Sequence, residues 1–250
     1  MTLAVVTGGE SGIGAACAVR LAKAGADVVI SYHKDRRAAD GVVAQVQATG
    51  RTGLAVQCDV ASEEDVMALF DAASKLGSCR WLVNSAGVNM AGIPIERMEL
   101  EHFERTVATD LTGAFLTCRE FVRRLDEEGG RIVNISSIHA FAPRAGGADY
   151  DAAKGGLSQL TRTLALELAP RRVAVNGIAP GMILTPMNEK AVENADVLRK
   201  REAAIPWGRA GRAEEVAELV AFMLSPGSDY ITGTTVTIDG GLSLTVAQGA

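Results

Sequence analysis

A chain of 250 residues, 48% hydrophobic and 22% charged, can bury a full core as one α/β domain or two small ones. Its net charge of -5 offers no basic face to nucleic acid. No apolar run approaches the length of a membrane span, and Met1 leads almost directly into a strand-like segment, without a secretory pattern. The expectation is a cytoplasmic enzyme with neither a nucleic-acid nor a membrane partner. Cys17, Cys58, Cys79 and Cys118 are scattered, with no metal or redox spacing, and read as reduced, mostly buried thiols. No metal is expected.

Leu3 to Thr7 is a short apolar run that predicts a buried strand, followed by TGGESGIG at Thr7 to Gly14 and a helical pattern from Ile13 to Ala24. Strand, glycine turn and helix in this order suit a dinucleotide. Gly8, Gly12 and Gly14 permit close backbone approach to a diphosphate, which rests on the amide groups and positive dipole end of the helix. A second strand is predicted over Asp27 to Tyr32. About 20 residues beyond the glycines an acidic side chain would bind the adenosine ribose and select NAD. Tyr32 and His33 stand at that strand tip instead, and His33, Lys34, Arg36 and Arg37 supply positive charge for a 2′-phosphate. The cofactor expected from this is NADP, with NAD as the alternative. Asp35 is expected to cap the next helix, Arg36 to Thr49.

Gly53 to Gln57 predicts a third strand ending at Cys58, Asp59 and Val60, and Ser62 with Asp65 resembles a capping box for a helix reaching about Leu76. Asp59 lies at a strand's carboxyl end, where such sheets meet their ligands. Arg80 to Asn84 predicts the fourth strand, running into NSAG at Asn84 to Gly87, whose small residues admit a cofactor. One long helix is expected over Leu100 to Leu125, stopped by Gly129 and Gly130. The fifth strand, Arg131 to Ile135, then delivers Ser136 and Ser137 to the same sheet edge.

YDAAK at Tyr150 to Lys154 places a phenol and an ammonium one helical turn apart. A phenol ionises near pH ~10 in water, and a neighbouring cation favours its anion. Val173 to Ile178 predicts a sixth strand leading into NGIAPGMILTP. The segment from Pro186 to Pro206 reads as a partly helical lid at the carboxyl edge. Ala213 to Leu224 predicts an amphipathic helix and Thr234 to Asp239 the last strand, before a small apolar tail from Leu242.

In order and spacing, TGGESGIG, NSAG, the second serine of NISS, YDAAK and the pair Pro180 and Gly181 resemble the short-chain dehydrogenase/reductase family over essentially the whole chain. The resemblance implies an α/β, doubly wound Rossmann fold, with a parallel sheet of about seven strands and helices on both faces. It also implies one domain spanning residues 1–250, a nicotinamide cofactor and a homotetramer. By position, Ser137 resembles the serine that holds the substrate oxygen, Tyr150 the general acid/base, and Lys154 the lysine that binds the nicotinamide ribose and favours the tyrosinate. The physical reading agrees, since Ser137 and Tyr150 can both donate to an oxygen that gains negative charge as hydride arrives. Ser11, Ile13, Val60, Asn84, Ala86 and Gly87 match cofactor-binding positions. Pro180 and Gly181 match the turn under the nicotinamide, and Ile183 and Thr185 match contacts to its carboxamide and phosphate. One departure stands out: DLTGAF puts Asp110 where the family commonly has an asparagine. That position is thought to act partly through its backbone carbonyl in a water-linked proton relay, so Asp110 is expected as a fourth catalytic member and Asp110→Asn to retain activity.

SSIHA, LTPMN and IPWGR most resemble the sugar dehydrogenase branch, including glucose 1-dehydrogenases. The substrate expected is a small polar sugar or polyol, met by Ser137, His139, Arg144, Tyr150 and Met187, with Asn89, Met90 and Trp207 nearby. The alternative is a carbonyl or 3-oxoacyl reductase, for which a basic patch at the mouth would be needed and only Arg123, Arg124, Arg171 and Arg172 offer themselves. A cofactor-binding protein without turnover is a remote alternative.

Overall fold

The computed structural model describes residues 2–89, 92–186 and 195–247. These contain nine strands: β1 (Leu3–Thr7), β2 (Asp27–Tyr32), β3 (Gly53–Gln57), β4 (Cys79–Asn84), β5 (Gly130–Ile135), β6 (Val173–Pro180), β7 (Ile183–Leu184), β8 (Gly211–Arg212) and β9 (Thr235–Ile238). The helices are α1 (Gly12–Lys23), α2 (Arg36–Gln47), α3 (Glu63–Ser74), α4 (Leu100–Val107), α5 (Gly113–Arg123), α6 (Ala148–Leu168), α7 (Ala195–Glu202) and α8 (Ala213–Met223). Seven strands make one sheet in the order β3-β2-β1-β4-β5-β6-β9, every pairing parallel. The chain winds outward from β1 to β3, then returns to lay β4 on the other side of β1, which is the doubly wound arrangement.

All five residues of β1 are buried, because a central strand of such a sheet is covered on both faces and has no polar side to show. Side-chain alternation divides the core in two. Ala4 and Val6 pack with Val28, Ile30 and Val83 against α1, α2 and α8. Leu3 and Val5 pack with Val29, Leu82 and Ile132 against α3, α5 and α6, where Phe70 and Phe121 are the largest fully buried side chains. Asp35 and Ser62 cap their helices as expected, accepting from the Ala38 and Asp65 N–H groups at 2.8 Å and 3.2 Å. The Asp65 carboxylate reaches past Ser62 to the N–H of Asp59, at 2.9 Å, so the second half of the expected box is made one loop further back.

The single helix expected over Leu100 to Leu125 is broken in its middle. Between α4 and α5, Ala108–Thr112 form one π-helical turn, and Asp110 within it is buried. A wide turn of this kind re-aims one side chain without ending the helix, a feature that hydrophobic spacing does not register. The pairing of β7 with β8 is also absent from the sequence reading, since two-residue strands carry no alternation.

Candidate active site

The strand order turns back at β1 and β4, and the carboxyl ends of the sheet open there into a cavity of about 1410 Å³. Pockets for single drug-sized ligands are commonly about 300–1,000 Å³, so this one has room for a dinucleotide and a small substrate.

One wall is the glycine loop. Gly8 has φ 61°, and a Cβ there would stand 2.8 Å from Ala86 Cα; a Cβ on Gly14 would stand 2.1 Å from the Gly8 carbonyl oxygen. The loop therefore lies flat against NSAG and against its own helix only because these side chains are missing. Thr7 fastens it from below, its Oγ1 accepting from the Ser85 and Ala86 N–H groups at 3.1 Å each. Gly8, Ser11, Gly12 and Ile13 line the cavity from this side, with Asp59 and Val60 after β3, Ala86 and Gly87 after β4, and Pro180, Gly181, Ile183 and Thr185 after β6. This cradle fits a dinucleotide, since its exposed backbone and helix N-terminus suit a diphosphate.

Three residues expected at the cofactor do not line the cavity. Gly14 lies beneath the loop, where its role is helix-to-strand packing. Tyr32 is buried at the β2 tip, with its Oη 3.4 Å from Arg36 Nη1. Asn84 points away into the core, donating to Asn134 Oδ1 at 2.9 Å and accepting from Thr117 Oγ1 at 2.6 Å. Asn134 in turn donates to Thr161 Oγ1 at 2.9 Å. This buried network ties β4 and β5 to α5 and α6, which stem from the π turn and carry Lys154, so Asn84 supports the site without lining it. Arg36 is likewise drawn off, by an ion pair with Asp40 at 2.8 Å, while His33 lines the wall. Met90 and Met187 lie outside the described residues.

The opposite wall holds the expected catalytic side chains. Ser137 ends β5 and caps a short 3₁₀ turn, its Oγ accepting from the His139 N–H at 3.1 Å. Tyr150 and Lys154 lie on α6, with Lys154 Nζ 5.4 Å from the centre of the Tyr150 ring. Lys154 is 5% exposed. It donates to the Ile135 carbonyl at 3.1 Å and stands 3.0 Å from Asp110 Oδ2. Asp110 Oδ1 accepts from the Val88 N–H at 2.8 Å, so the carboxylate joins the β4 loop to the catalytic lysine. Burial by itself pushes the lysine's pKa down, but the charges of Asp110 and Tyr150 prevail and hold it above the ordinary value. The result is a fixed cation beside the Tyr150 ring, in a position to stabilise negative charge that develops there during proton transfer.

His139 meets the Tyr150 ring edge-on, with centroids 6.3 Å apart. Its Nδ1 lies 3.0 Å from the Ala142 carbonyl. A carbonyl only accepts, so Nδ1 carries the proton, and Nε2 has no hydrogen-bond partner among the described residues. Arg144 lines this end of the cavity as expected, joined by Arg105 from α4 and Arg201 from α7. Neither of the last two was legible in the sequence, since nothing in the helical pattern marks a mouth-facing position. Arg123 and Arg124 are paired with Glu120, and Arg171 and Arg172 border a separate depression with Leu125 and Asp126. None of the four lines the main cavity. Burial pushes all four thiols up to about 12, which leaves them unreactive. Among the described residues, no group of side chains is arranged to hold a metal ion, and no helix is long and apolar enough to cross a membrane.

The family described as Enoyl-(Acyl carrier protein) reductase matches residues 8–243. The chain is 41% identical to 3beta-hydroxysteroid dehydrogenase 1 of Eggerthella lenta over 243 residues, 96% of this chain and 93% of that protein. It is 35% identical to Glucose 1-dehydrogenase 2 of Bacillus subtilis, covering 98% of this chain and 96% of the other. The crystal structure of acetoin dehydrogenase from Enterobacter cloacae superposes with a TM-score of 0.91 at 34% identity, covering 100% of this chain and 98% of that one.

Proposed function

This chain belongs to the short-chain dehydrogenase/reductase family and is an NAD(P)-dependent oxidoreductase acting on CH–OH groups, and within that class we propose that its substrate is a small sugar or polyol. The observation that carries this is the polar end of the cavity, where Ser137, His139 and Tyr150 face the same space. A vicinal hydroxyl can donate to the free Nε2 of His139 while the reacting oxygen takes hydrogen bonds from Ser137 and Tyr150. The relatives' names span a steroid, a sugar and acetoin, so the polar wall, and not the likeness, directs the choice.

In the oxidative direction Tyr150 accepts the hydroxyl proton at Oη, and Ser137 Oγ steadies the oxygen as its charge changes. Lys154, paired with Asp110, sets a positive charge beside the Tyr150 ring and would bind the nicotinamide ribose. When bound, the nicotinamide supplies the hydride acceptor or donor. Gly8, Ser11, Gly12 and Ile13 would hold the diphosphate, Asp59 and Val60 would border the adenine, and Ala86, Gly87, Pro180, Gly181, Ile183 and Thr185 would take the nicotinamide half. The positive charge expected to favour NADP has lost Arg36 to Asp40 and keeps His33 at the wall. The cofactor is therefore NAD or NADP.

We propose that the chain works as one domain, and that Pro186 and residues 195–206 belong to the lid read over 186–206, whose residues 187–194 lie outside the described residues. Support comes from α7, which buries none of its own residues yet presents Arg201 to the cavity. Exposed Leu166, Phe222 and Tyr230 support the homotetramer.

A specific observation favours a second reading. Arg105, Arg144 and Arg201 line the cavity with no ion-pair partner among the described residues, which suits an anionic substrate such as a phosphorylated carrier arm, and hence a 3-oxoacyl or carbonyl reductase. Absorbance at 340 nm separates the two, with NAD and NADP tested against aldoses and polyols, and their reduced forms against small ketones and an acyl thioester. Aldose-dependent cofactor reduction is expected; turnover confined to ketones or the thioester overturns the sugar reading.

A further inference from the structure

Among the glycine-loop residues, Glu10 alone carries a charge, and its side chain turns toward the β2 tip. Oε1 accepts from the backbone N–H of His33 at 3.3 Å, while Oε2 is buried with no hydrogen-bond partner among the described residues. Both Glu10 and His33 line the cavity, as does Ser31. A buried carboxylate oxygen without a donor costs free energy, so the site is incomplete until a donor arrives. Nothing nearby neutralises it: Arg36 is paired with Asp40, and no lysine or arginine forms an ion pair with Glu10 among the described residues. The other carboxylates at this end are committed to their own loops, Asp35 to the Ala38 N–H and Asp59 to the Ala61 N–H at 3.0 Å.

We infer that Glu10 selects NAD over NADP by accepting hydrogen bonds from the adenosine ribose hydroxyls. The inference rests on the dinucleotide site described above and revises the preference for NADP drawn from the strand tip. The chemistry is that of a carboxylate facing a vicinal diol: two hydroxyl donors satisfy the open oxygen, whereas a 2′-phosphate brings like charge to an acceptor that has no proton to give. The acid that commonly closes β2 is supplied here from the neighbouring loop, through the contact between Glu10 and His33. His33 is the one basic side chain lining this end.

The test is direct binding of NAD and NADP to the full chain by isothermal titration calorimetry at pH 8, for wild type, Glu10→Gln and Glu10→Ser. Glu10→Gln keeps an acceptor for the His33 N–H and removes the charge; Glu10→Ser removes the side chain as well. Wild type is expected to bind NAD at least about tenfold more tightly than NADP, a difference of about 1.4 kcal/mol. Both variants should shrink that ratio severalfold, chiefly by tightening NADP. A wild type that prefers NADP, or an NAD/NADP ratio unmoved in both variants, overturns the role of Glu10 while leaving the oxidoreductase reading intact. A folded wild type that binds neither dinucleotide overturns both.

Discussion

Asp110→Asn separates two roles for a carboxylate that the fold has placed beside the catalytic lysine. In the folded chain its side chain is 0% exposed, Oδ1 takes the Val88 N–H at 2.8 Å, and Oδ2 lies 3.0 Å from Lys154 Nζ. Oδ2 receives no well-directed hydrogen bond, so the pair is held by charge more than by a directed bond. The amide is nearly isosteric but has one acceptor where the acid has two. If that oxygen stays with Val88, the NH₂ group turns a donor toward a buried cation. Removing one partner of a buried pair typically costs about 3–5 kcal/mol. The lower figure applies here, because the Ile135 carbonyl still holds the ammonium at 3.1 Å. At about 2–4 °C per kcal/mol for a chain of this size, the melting temperature should fall by roughly 6–12 °C. Turnover should survive within about tenfold, because the Ser137 and Tyr150 hydroxyls, the Lys154 contact with the Ile135 carbonyl and the backbone carbonyl at position 110 are unchanged. Calorimetric melting and kcat/KM against pH read the two quantities separately. An unchanged melting temperature together with a loss beyond roughly a hundredfold, about 2.7 kcal/mol at the barrier, would refute this reasoning and make the carboxylate a chemical participant.

Tyr150→Phe removes the proton-exchanging oxygen and little else: turnover should fall by about a thousandfold or more, with dinucleotide affinity within about threefold by titration. Retained turnover would take Tyr150 out of the mechanism. Gly14→Ala places a Cβ 2.1 Å from the Gly8 carbonyl oxygen, so the loop must shift. Overpacking of this kind typically costs about 1–3 kcal/mol, and dinucleotide binding should weaken at least tenfold; wild-type melting and binding would show that the loop is not held by this contact. The pairing of Lys154 also has a pH signature. Its folded pKa is raised above the ordinary value of 10.5, so the contribution is complete below the unfolded pKa and is lost as pH climbs through the folded one. The stability gap between wild type and Asp110→Asn, measured by urea unfolding, should therefore be constant through neutral pH and narrow above pH ~10.5. A gap that instead closes on acidification toward pH 6 would mean that another group governs it.

The sequence by itself determined the class of fold and most of the site. Near-continuous apolar runs such as LAVVT mark strands buried on both faces, and the alternation of strand with helix leaves few topologies open to a parallel sheet. Gly8 and Gly12 fall within one short loop, and Tyr150 and Lys154 lie one helical turn apart, so local spacing was enough to bring each pair together. What only the tertiary structure decided depends on contacts between distant segments. Asn84 belongs to a core network with Thr117, Asn134 and Thr161. The ion pair that removes Arg36 and the π turn that buries Asp110 against Lys154 depend on where side chains point, which residue types alone do not state. Glu10 meets His33 only because parallel pairing of β1 and β2 brings two loops, 23 residues apart, to the same edge. Hydrophobic periodicity records which face of an element is buried, and carries no term for a polar side chain whose partner arrives from another crossover.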